Sequence, residues 1–211
     1  MGWQAEGPFR YDGDKLYFHK FPRSPRGTDY LKIHGQQSFS PYDIYSTFKD
    51  KEGNMWFGTG AAGLFRFDGE TVCWMGEDHL DTTPEGGAFC IRSIHEDSDG
   101  KFWICNPNYI YLISDNCNFE NNYQMISYHK EEGIAKLFEE TSKSVPYFMS
   151  IIERTAYEMW FLSYEQGIWC YKDGHISHHP IIIDSRIIQL YALYKDKENH
   201  CLLYTSDAAD D

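Results

Sequence analysis

The stretch DKEGNMWFGT, residues Asp50–Thr59, begins with a polar turn that contains a glycine and ends in an apolar run that carries a tryptophan. Its first seven residues have the form Asp-x-x-Gly-x-x-Trp, which recurs in full as DSDGKFW at Asp97–Trp103. Weaker versions keep only the tryptophan, as RTAYEMW at Arg154–Trp160, or only the aspartate, as DKENHCL at Asp196–Leu202. The opening stretch is therefore one member of a repeated unit.

Turn and core chemistry account for the fixed positions of this motif. Aspartate and glycine favour tight turns, since glycine accepts a positive φ, and a tryptophan buries a large area between packed sheets. We therefore expect structural roles, rather than direct ligand contacts, for the repeat positions Asp50, Gly53, Trp56, Asp97, Gly100, Trp103, Trp160 and Asp196.

The segments around the motif repeat as well. A small residue stands four positions before each Asp position, and GLFRFDG at Gly63–Gly69 recurs as GIWCYKDG at Gly167–Gly174 and as GPFRYDG at Gly7–Gly13. The Asp positions are separated by 47 (50 to 97), 57 (97 to 154) and 42 (154 to 196) residues. Repeats of about 40–50 residues that hold several short strands are typical of propeller blades or solenoids. The small residues are Ser46, Ser93, Ser150 and Ala192.

The strand pattern favours blades. In the strongest repeat we predict strands at Ile44–Lys49, Met55–Gly58, Leu64–Phe67 and Thr71–Met75. Four short antiparallel strands are the content of one propeller blade. The predicted fold class is all-β: a partial β-propeller of four-stranded antiparallel blades with one short inserted helix. We expect a blade remnant at 1–21, blades at about 40–76, 86–127 and 145–180, and the start of a further blade at 187–200.

The long third interval holds the stretch Tyr128–Ser144, in which Ile134, Leu137 and Phe138 follow helical spacing. We predict a helix at Glu131–Lys143, packed on its own domain through this stripe. A solvent-facing stripe would instead favour a scaffold that docks a partner protein.

Composition excludes several functions. The net charge of -13 repels phosphate backbones, so we expect no nucleic-acid partner. No apolar run is long enough to predict a membrane-spanning helix, and the first residues do not form a signal peptide. The sequence suggests no cofactor.

The stretch IYSTFKDKEGNMWFGTGAAGLFRFDG, residues Ile44–Gly69, resembles the repeat of the two-component regulator propellers. These are extracytoplasmic sensor domains of bacterial hybrid histidine kinases, and they also occur as stand-alone proteins. The resemblance covers most of residues 1–200. It implies a non-catalytic, ligand-sensing propeller that faces the periplasm, with carbohydrate breakdown products as a frequent ligand class.

Both ends of the chain bear on this interpretation. The position of Gly7 within its repeat predicts that the chain starts inside a blade. The segment Cys201–Asp211 resembles the translation of a transposon-end adapter, so we predict that it is not native. Five cysteines remain without it, and at least one of them is then unpaired. An unclosed arc exposes sheet edges, and we therefore expect self-association.

Residues that carry chemistry are few. His175, His178 and His179 lie close together, but a metal site would need a further ligand from elsewhere, so we predict no metal. The loop Gly76–Gly87 carries four acidic residues, which as paired carboxylates could serve a glycosidase. We identify no catalytic residue, although a propeller enzyme of the lyase or glycosidase type remains the alternative.

We predict that a small polar ligand, such as an oligosaccharide, binds at the mouth of the propeller. The loops between second and third strands and the inter-blade loops form that mouth, which places Cys105–Ile110 and Leu162–Gly167 there. Arg92 lies on an innermost strand and could point toward the channel. The candidate ligand-binding residues are Arg92, Asn106, Asn108, Tyr109, Tyr164 and Glu165.

Overall fold

The chain was analysed as a computed structural model, which describes residues 6–35, 40–81, 90–120, 122–141 and 145–205. It divides into two compact units. The first unit comprises residues 1–82, 88–91 and 113–128, and the second comprises 83–87, 92–112 and 129–211. Strands dominate both units, which confirms the all-β prediction.

The first unit contains a short hairpin, one helix and a complete blade. In the blade, β3 to β6 pair antiparallel in sequential order, and each strand lies within a residue of its predicted bounds. Phe57, Phe65 and Trp74 form its core together with Phe21 and Tyr42. The elements are β1 (Phe9–Tyr11), β2 (Leu16–Phe18), α1 (Pro25–His34), β3 (Ile44–Lys49), β4 (Met55–Thr59), β5 (Leu64–Phe67) and β6 (Val72–Met75). We call β1–β2 the N-terminal hairpin and β3–β6 blade 1.

Helix α1 was not predicted, although its start carries a recognisable signal. The Ser24 hydroxyl accepts a hydrogen bond from the Gly27 amide at 3.1 Å, and Pro25 occupies the first helical position. Serine caps and first-turn prolines are favoured at helix N-termini because both suit the unpaired amides there. The described residues therefore hold two helices, where one was predicted.

The second blade contains a long hairpin. Its strands are β7 (Ile94–Glu96), β8 (Lys101–Ile104), β9 (Asn106–Glu120) and β10 (Tyr123–Glu132), and we call them blade 2. The hairpin tip belongs to the first unit and its base to the second. At the tip, Met125 of β10 pairs parallel with Trp74 of β6.

A disulfide joins Cys73 of β6 to Cys117 of β9 within the first unit. The buried guanidinium of Arg66 strengthens the same junction, because it donates to the carbonyl oxygens of Ser114 and Asp115 at 2.9 and 2.7 Å. Among the described residues, Cys90, Cys105, Cys170 and Cys201 form no disulfide bond and carry thiols.

The second unit continues with a complete blade and a final hairpin. Strands β11 to β14 pair antiparallel in sequential order and form blade 3. The elements are α2 (Ala135–Thr141), β11 (Phe148–Thr155), β12 (Glu158–Ser163), β13 (Gly167–Lys172), β14 (His175–His179), β15 (Ile182–Ile183), β16 (Arg186–Ile187), β17 (Leu190–Lys195) and β18 (Cys201–Thr205). We call β17–β18 the C-terminal hairpin.

Helix α2 begins at Ala135 rather than at the predicted Glu131, because Glu131 and Glu132 extend strand β10 instead. The last predicted residues, Ser142 and Lys143, lie outside the described residues. Phe138 is fully buried, with its ring 5.1 Å from that of Trp169 and 5.6 Å from that of Phe148. Ile134 packs on the same cluster. The apolar stripe therefore serves the core of its own unit, and the condition set for a partner-docking helix is not met.

In two repeats, the serine at the small-residue position binds the backbone of a later segment of the same unit. Within the first unit, the Ser46 hydroxyl donates to the carbonyl of Ile91 at 2.6 Å, and within the second, Ser93 donates to Phe148 at 2.9 Å. A Cβ on Gly58 would lie 2.4 Å from the same Ile91 oxygen, so this approach also requires a glycine. Each of these serines thus binds a backbone carbonyl that lies 45 or 55 residues further along the chain.

The Asp-x-x-Gly-x-x-Trp motif is closed by a side-chain hydrogen bond. Asp50 accepts from the indole Nε1 of Trp56 at 2.7 Å, and Asp97 accepts from Trp103 at the same distance. The structural role predicted for these positions is therefore specific, because the aspartate both shapes the turn and binds the buried tryptophan.

Strand β18 lies in the segment predicted to be non-native. It pairs with β17 in the register of the other repeats, so that Leu202 occupies the position of Trp56. Many different sequences can form paired strands, so the pairing of β18 does not show whether the segment is native. The adapter origin of Cys201–Asp211 stays a prediction.

Candidate functional site

The six predicted mouth residues lie in the second unit, at or beside the two corners that join second to third strands. The first corner is Cys105 alone, because β9 begins at Asn106, so the predicted loop Cys105–Ile110 is wrong. The Cys105 carbonyl accepts from the Phe148 amide, and its thiol, whose pKa is raised by burial, accepts from the Arg92 amide at 3.2 Å. The corner thus lies beside the start of blade 3, and Arg92 is tied to it through its backbone.

Asn106, Asn108 and Tyr109 lie on strand β9. Asn106 is buried, and its side-chain oxygen accepts the Asn108 amide at 3.0 Å. The Asn108 carbonyl in turn accepts from Gly133, and the Lys130 ammonium lies 4.3 Å from the centre of the Tyr109 ring. These contacts give Asn106 a structural role, whereas Asn108 and Tyr109 keep half-exposed side chains.

Tyr164 and Glu165 lie on the second corner, between β12 and β13. The Tyr164 hydroxyl shares a hydrogen bond of 3.1 Å with that of Tyr191, and the Tyr164 carbonyl accepts from Leu190 at the start of β17. Glu165 is exposed and accepts weakly from Gln189 at 3.4 Å. This corner is the equivalent of the Cys105 corner in the following blade.

A cavity of about 390 Å³ lies elsewhere in the second unit, on the side of the Asp-x-x-Gly turns. Blade 2 supplies one wall and blade 3 the other, with Ile134 between them. None of the six predicted ligand-binding residues lines it. The lining residues are Asp97, Asp99, Lys101, Trp103, Ile110, Ile134, Glu153, Tyr157, Met159, Tyr171, Asp173 and Gly174.

Some of the charged groups in this cavity hold the fold. Asp97 accepts from Trp103 and from two turn amides, and Glu153 accepts from Ser98 at 2.6 Å. Lys101 pairs with Glu131 at 3.0 Å, and this hydrogen bond raises the pKa of the lysine.

The remaining polar groups suit recognition. Asp99 and Asp173 carry exposed carboxylates at the rim, and Tyr157 and Tyr171 present aromatic rings. Carboxylates accept hydrogen bonds from hydroxyl or amino groups, and aromatic rings cover the apolar face of a ligand. In the sequence, these residues could be recognised only as parts of turns. The sequence does not show that two turns and a neighbouring blade enclose a cavity.

Two of the three histidines, His178 and His179, have separate partners. His178 stacks on Trp169 at 4.1 Å and hydrogen-bonds the Gln166 carbonyl, whereas His179 bonds Ser177 at 3.0 Å. In the described part of the chain, one group of metal-ligating side chains falls within 4.8 Å, and it lies at the β17–β18 turn. Its members are Asp196, Glu198 and His200.

The acidic loop Gly76–Gly87 is described as far as Asp81. Asp81 is buried and pairs with Arg26 at 2.6 Å, and Glu77 accepts from the Tyr128 hydroxyl at 2.9 Å. Burial, followed by this hydrogen bond, raises the pKa of Tyr128. Two of the four carboxylates therefore hold the first unit together, and Glu85 lies outside the described residues.

Comparison with known proteins supports the repeat and the fold. Residues 38–61 match the family model for the two component regulator propeller, which confirms the resemblance across the strongest repeat. No curated protein matches the chain. In the described residues, no helix has the length and apolar character needed to cross a bilayer.

Two solved structures share the fold. The first is the extracellular domain of a protein described as a hybrid two component system from B. thetaiotaomicron, with 14% identity, a TM-score of 0.56 and 97% of this chain covered. The second is the extracellular domain of a protein described as a one component system from the same organism, with 17% identity, a TM-score of 0.55 and 95% coverage. This chain spans about a quarter of each, 25% and 24%.

Proposed function

We propose that this chain is a non-catalytic, ligand-binding part of an extracytoplasmic propeller sensor of the two-component regulator type. The repeat match and the two structural relatives support the sensor class. The Cys73–Cys117 disulfide supports an oxidising compartment, since such bonds persist mainly outside the cytoplasm.

The observation that carries the ligand proposal is the cavity between blade 2 and blade 3. Its size suits a small polar molecule, because ligand pockets usually have volumes of about 300–1,000 Å³. Rim carboxylates beside tyrosine rings can bind hydroxyl groups and cover a sugar face at the same time. We therefore propose a carbohydrate-derived ligand for this cavity.

Signal transfer would follow from the position of the cavity between two blades. A ligand held by Asp99 and Asp173 contacts both walls, since Asp99 belongs to the turn of blade 2 and Asp173 to that of blade 3. Such a ligand binds more tightly to one packing of the two blades than to others. This difference in affinity is what shifts the equilibrium between the two conformations.

The test is calorimetric titration with a panel of neutral and amino-substituted oligosaccharides. Asp99→Asn and Asp173→Asn should each weaken binding of the best ligand about tenfold, since each removes one charged hydrogen bond. Asn108→Ala and Glu165→Gln serve as matched controls at the two predicted corners. If the corner variants lose affinity and the cavity variants keep it, the ligand binds at the mouth as first predicted. If no saccharide binds, or if one is turned over, the proposal is wrong.

A further inference from the structure

The cavity between blade 2 and blade 3 combines aromatic rings with an excess of negative charge. We infer that its ligand carries a protonated amino group, as an amino sugar does, which Asp99 and Asp173 bind from the two walls while the Tyr157 ring covers it. This inference rests on the cavity proposed above as the ligand site, and it names the chemical class of the ligand.

The charges that line the cavity are mostly negative. Its described lining holds four carboxylates and one ammonium group, that of Lys101. Lys101 compensates them little, because it pairs with the Glu131 carboxylate at 3.0 Å. A neutral sugar would leave this excess of negative charge in place, whereas a cationic group on the ligand would offset part of it. The four carboxylates are those of Asp97, Asp99, Glu153 and Asp173.

The two permanent cations of blade 3 lie on the other face of its sheet. Arg154 and Lys172 pair with Glu158 at 3.0 and 3.2 Å. Successive residues of a strand point to opposite faces, so Glu158 faces away from the cavity that its neighbour Met159 lines. These cations therefore do not neutralise the cavity.

Two of the four carboxylates are available to a ligand. Asp97 and Glu153 already accept hydrogen bonds within the two turns. Among the described residues, no donor reaches the exposed carboxylates of Asp99 and Asp173. An ammonium group offers several donors together with a positive charge, so it binds such carboxylates more strongly than a hydroxyl group does.

Tyr157 occupies a position that the turn alone would not select. It stands at the glycine of the Asp-x-x-Gly-x-x-Trp motif and has a φ of 64°, in the left-handed region with Gly53 at 96° and Gly100 at 78°. A bulky residue is disfavoured there, and its side chain is 63% exposed, so it adds little to the core. Departures from local rules of this kind are expected at functional sites.

The two turns place Tyr157 between the two exposed carboxylates. Ser98, which precedes Asp99, donates to Glu153 at 2.6 Å, and Glu153 accepts the Tyr157 amide at 2.9 Å. On the other side, the last paired residues of β12 and β13 are followed outward by Tyr157 and Asp173. An aromatic face attracts an organic cation that lies over it. The ring and the two carboxylates together therefore suit an ammonium group.

The spacing of the carboxylates favours an organic cation over a metal ion. In the described structure, no three of the cavity carboxylates place oxygens within 4.8 Å of one another. A hard metal ion draws its oxygen ligands to about 2–2.6 Å and would need the two walls to move together. An organic cation can contact both walls where they stand.

Matched oligosaccharides test the inference in calorimetric titrations. Glucosamine oligomers and their N-acetylated equivalents share one backbone, but acetylation replaces the ammonium group by a neutral amide. The glucosamine oligomer should bind about tenfold more tightly or better. Asp99→Asn combined with Asp173→Asn should reduce this preference to about twofold. Added salt should weaken binding of the glucosamine oligomer more than that of the acetylated one.

A second double variant controls for general attraction of a cation to an acidic chain. Glu165→Gln combined with Asp184→Asn removes two exposed carboxylates of the same unit that do not line the cavity. It changes the net charge by the same amount as the cavity double variant. The preference for the glucosamine oligomer should stay within about twofold of that of the parent chain.

Tyr157 can be tested without loss of the fold. Tyr157→Gly restores the glycine of the motif, so its melting temperature should not fall, yet binding of the glucosamine oligomer should weaken about three- to fivefold. Tyr157→Phe keeps the ring and should keep the affinity within about twofold. Unchanged affinity in Tyr157→Gly would remove the ring from the inferred site.

The outcomes separate this inference from the proposed function. Equal affinity for both oligomers, lost in the cavity double variant, would overturn the inference and leave the cavity as the site of a neutral sugar. An equal loss of preference in the two double variants would also overturn it, because the cation would then be held by the acidic surface in general. If neither oligomer binds, the proposed carbohydrate ligand is wrong, and so is the inference.

Discussion

The Glu158 carboxylate accepts a hydrogen bond from the indole Nε1 of Trp160 at 2.8 Å, and so replaces the aspartate that the third repeat lacks. Arg154 stands at the Asp position and pairs with Glu158 at 3.0 Å, while its guanidinium lies 5.3 Å from the centre of the Trp160 ring. Lys172 pairs with the same carboxylate at 3.2 Å. The repeat therefore keeps the contact between carboxylate and tryptophan and changes only the position that supplies it.

This replacement predicts a compensating pair of substitutions. Glu158→Asn alone should lower the free energy of unfolding by about 1–2 kcal/mol, because it leaves a half-buried indole donor and two partly exposed cations without their acceptor. Adding Arg154→Asp restores the arrangement of Asp50 and Asn54 in blade 1, and it should recover at least half of the loss. Urea unfolding of the two single variants and the double variant gives the coupling energy. Additive effects would show that the two positions act independently.

The stability of the chain at acid pH should depend on the same carboxylate. Burial by itself would raise the pKa of Glu158, but hydrogen bonds from Arg154, Trp160 and Lys172 outweigh it and lower the pKa from 4.5 to about 2. Because the folded-state pKa is depressed, the stabilisation is complete above the ordinary value and is lost as the pH falls from about 4.5 to about 2. Unfolding free energies at about pH 6 and about pH 3 should differ by about 1–2 kcal/mol less in Glu158→Asn than in the parent chain. An unchanged pH dependence would contradict the role given to Glu158.

The sequence predicted blade 1 well because its signals are local. A glycine turn, alternating apolar residues and the spacing between Asp50 and Trp56 all lie within about 30 residues, and they agree with one another. Of the Asp-x-x-Gly-x-x-Trp motif, the third repeat keeps only Trp160. Its acceptor Glu158 could not be assigned, because sequence spacing does not show which side chain reaches an indole.

The parts that were missed depend on contacts between distant residues. The long β9–β10 hairpin is held to blade 1 by Cys73 and Cys117, which no pattern of spacing pairs. The cavity lies between the turn that carries Asp99 and the turn that carries Asp173. Each turn by itself has the polar sequence of an ordinary exposed turn. Ligand binding by the predicted mouth residues stays a prediction. Asn106 is buried and also has a structural role, because its side-chain oxygen accepts a hydrogen bond from the Asn108 amide.

The serine links between blades should contribute measurably to stability. Ser93 is buried and donates to the carbonyl of Phe148 at 2.9 Å. Ser93→Ala removes that donor and should cost about 1–2 kcal/mol in the free energy of unfolding, since a buried carbonyl loses a partner. Ser177→Ala is the matched control, because Ser177 is exposed and should change stability by less than about 0.5 kcal/mol. Equal effects of the two substitutions would show that the link between blades carries no specific stability.

The Cys73–Cys117 disulfide should stabilise the first unit without being needed for its fold. It closes a loop with a sequence separation of 44 residues, which in the chain-entropy model corresponds to about 4 kcal/mol as an upper value. The double substitution Cys73→Ser and Cys117→Ser should therefore lower the free energy of unfolding by about 2–4 kcal/mol. Arg66 still binds the backbone of Ser114 and Asp115 in that variant, so its circular dichroism should keep the β-sheet signal. A reductant should destabilise the parent chain by the same amount and leave the variant unchanged, and a variant as stable as the oxidised parent would contradict the stabilising role of this bond.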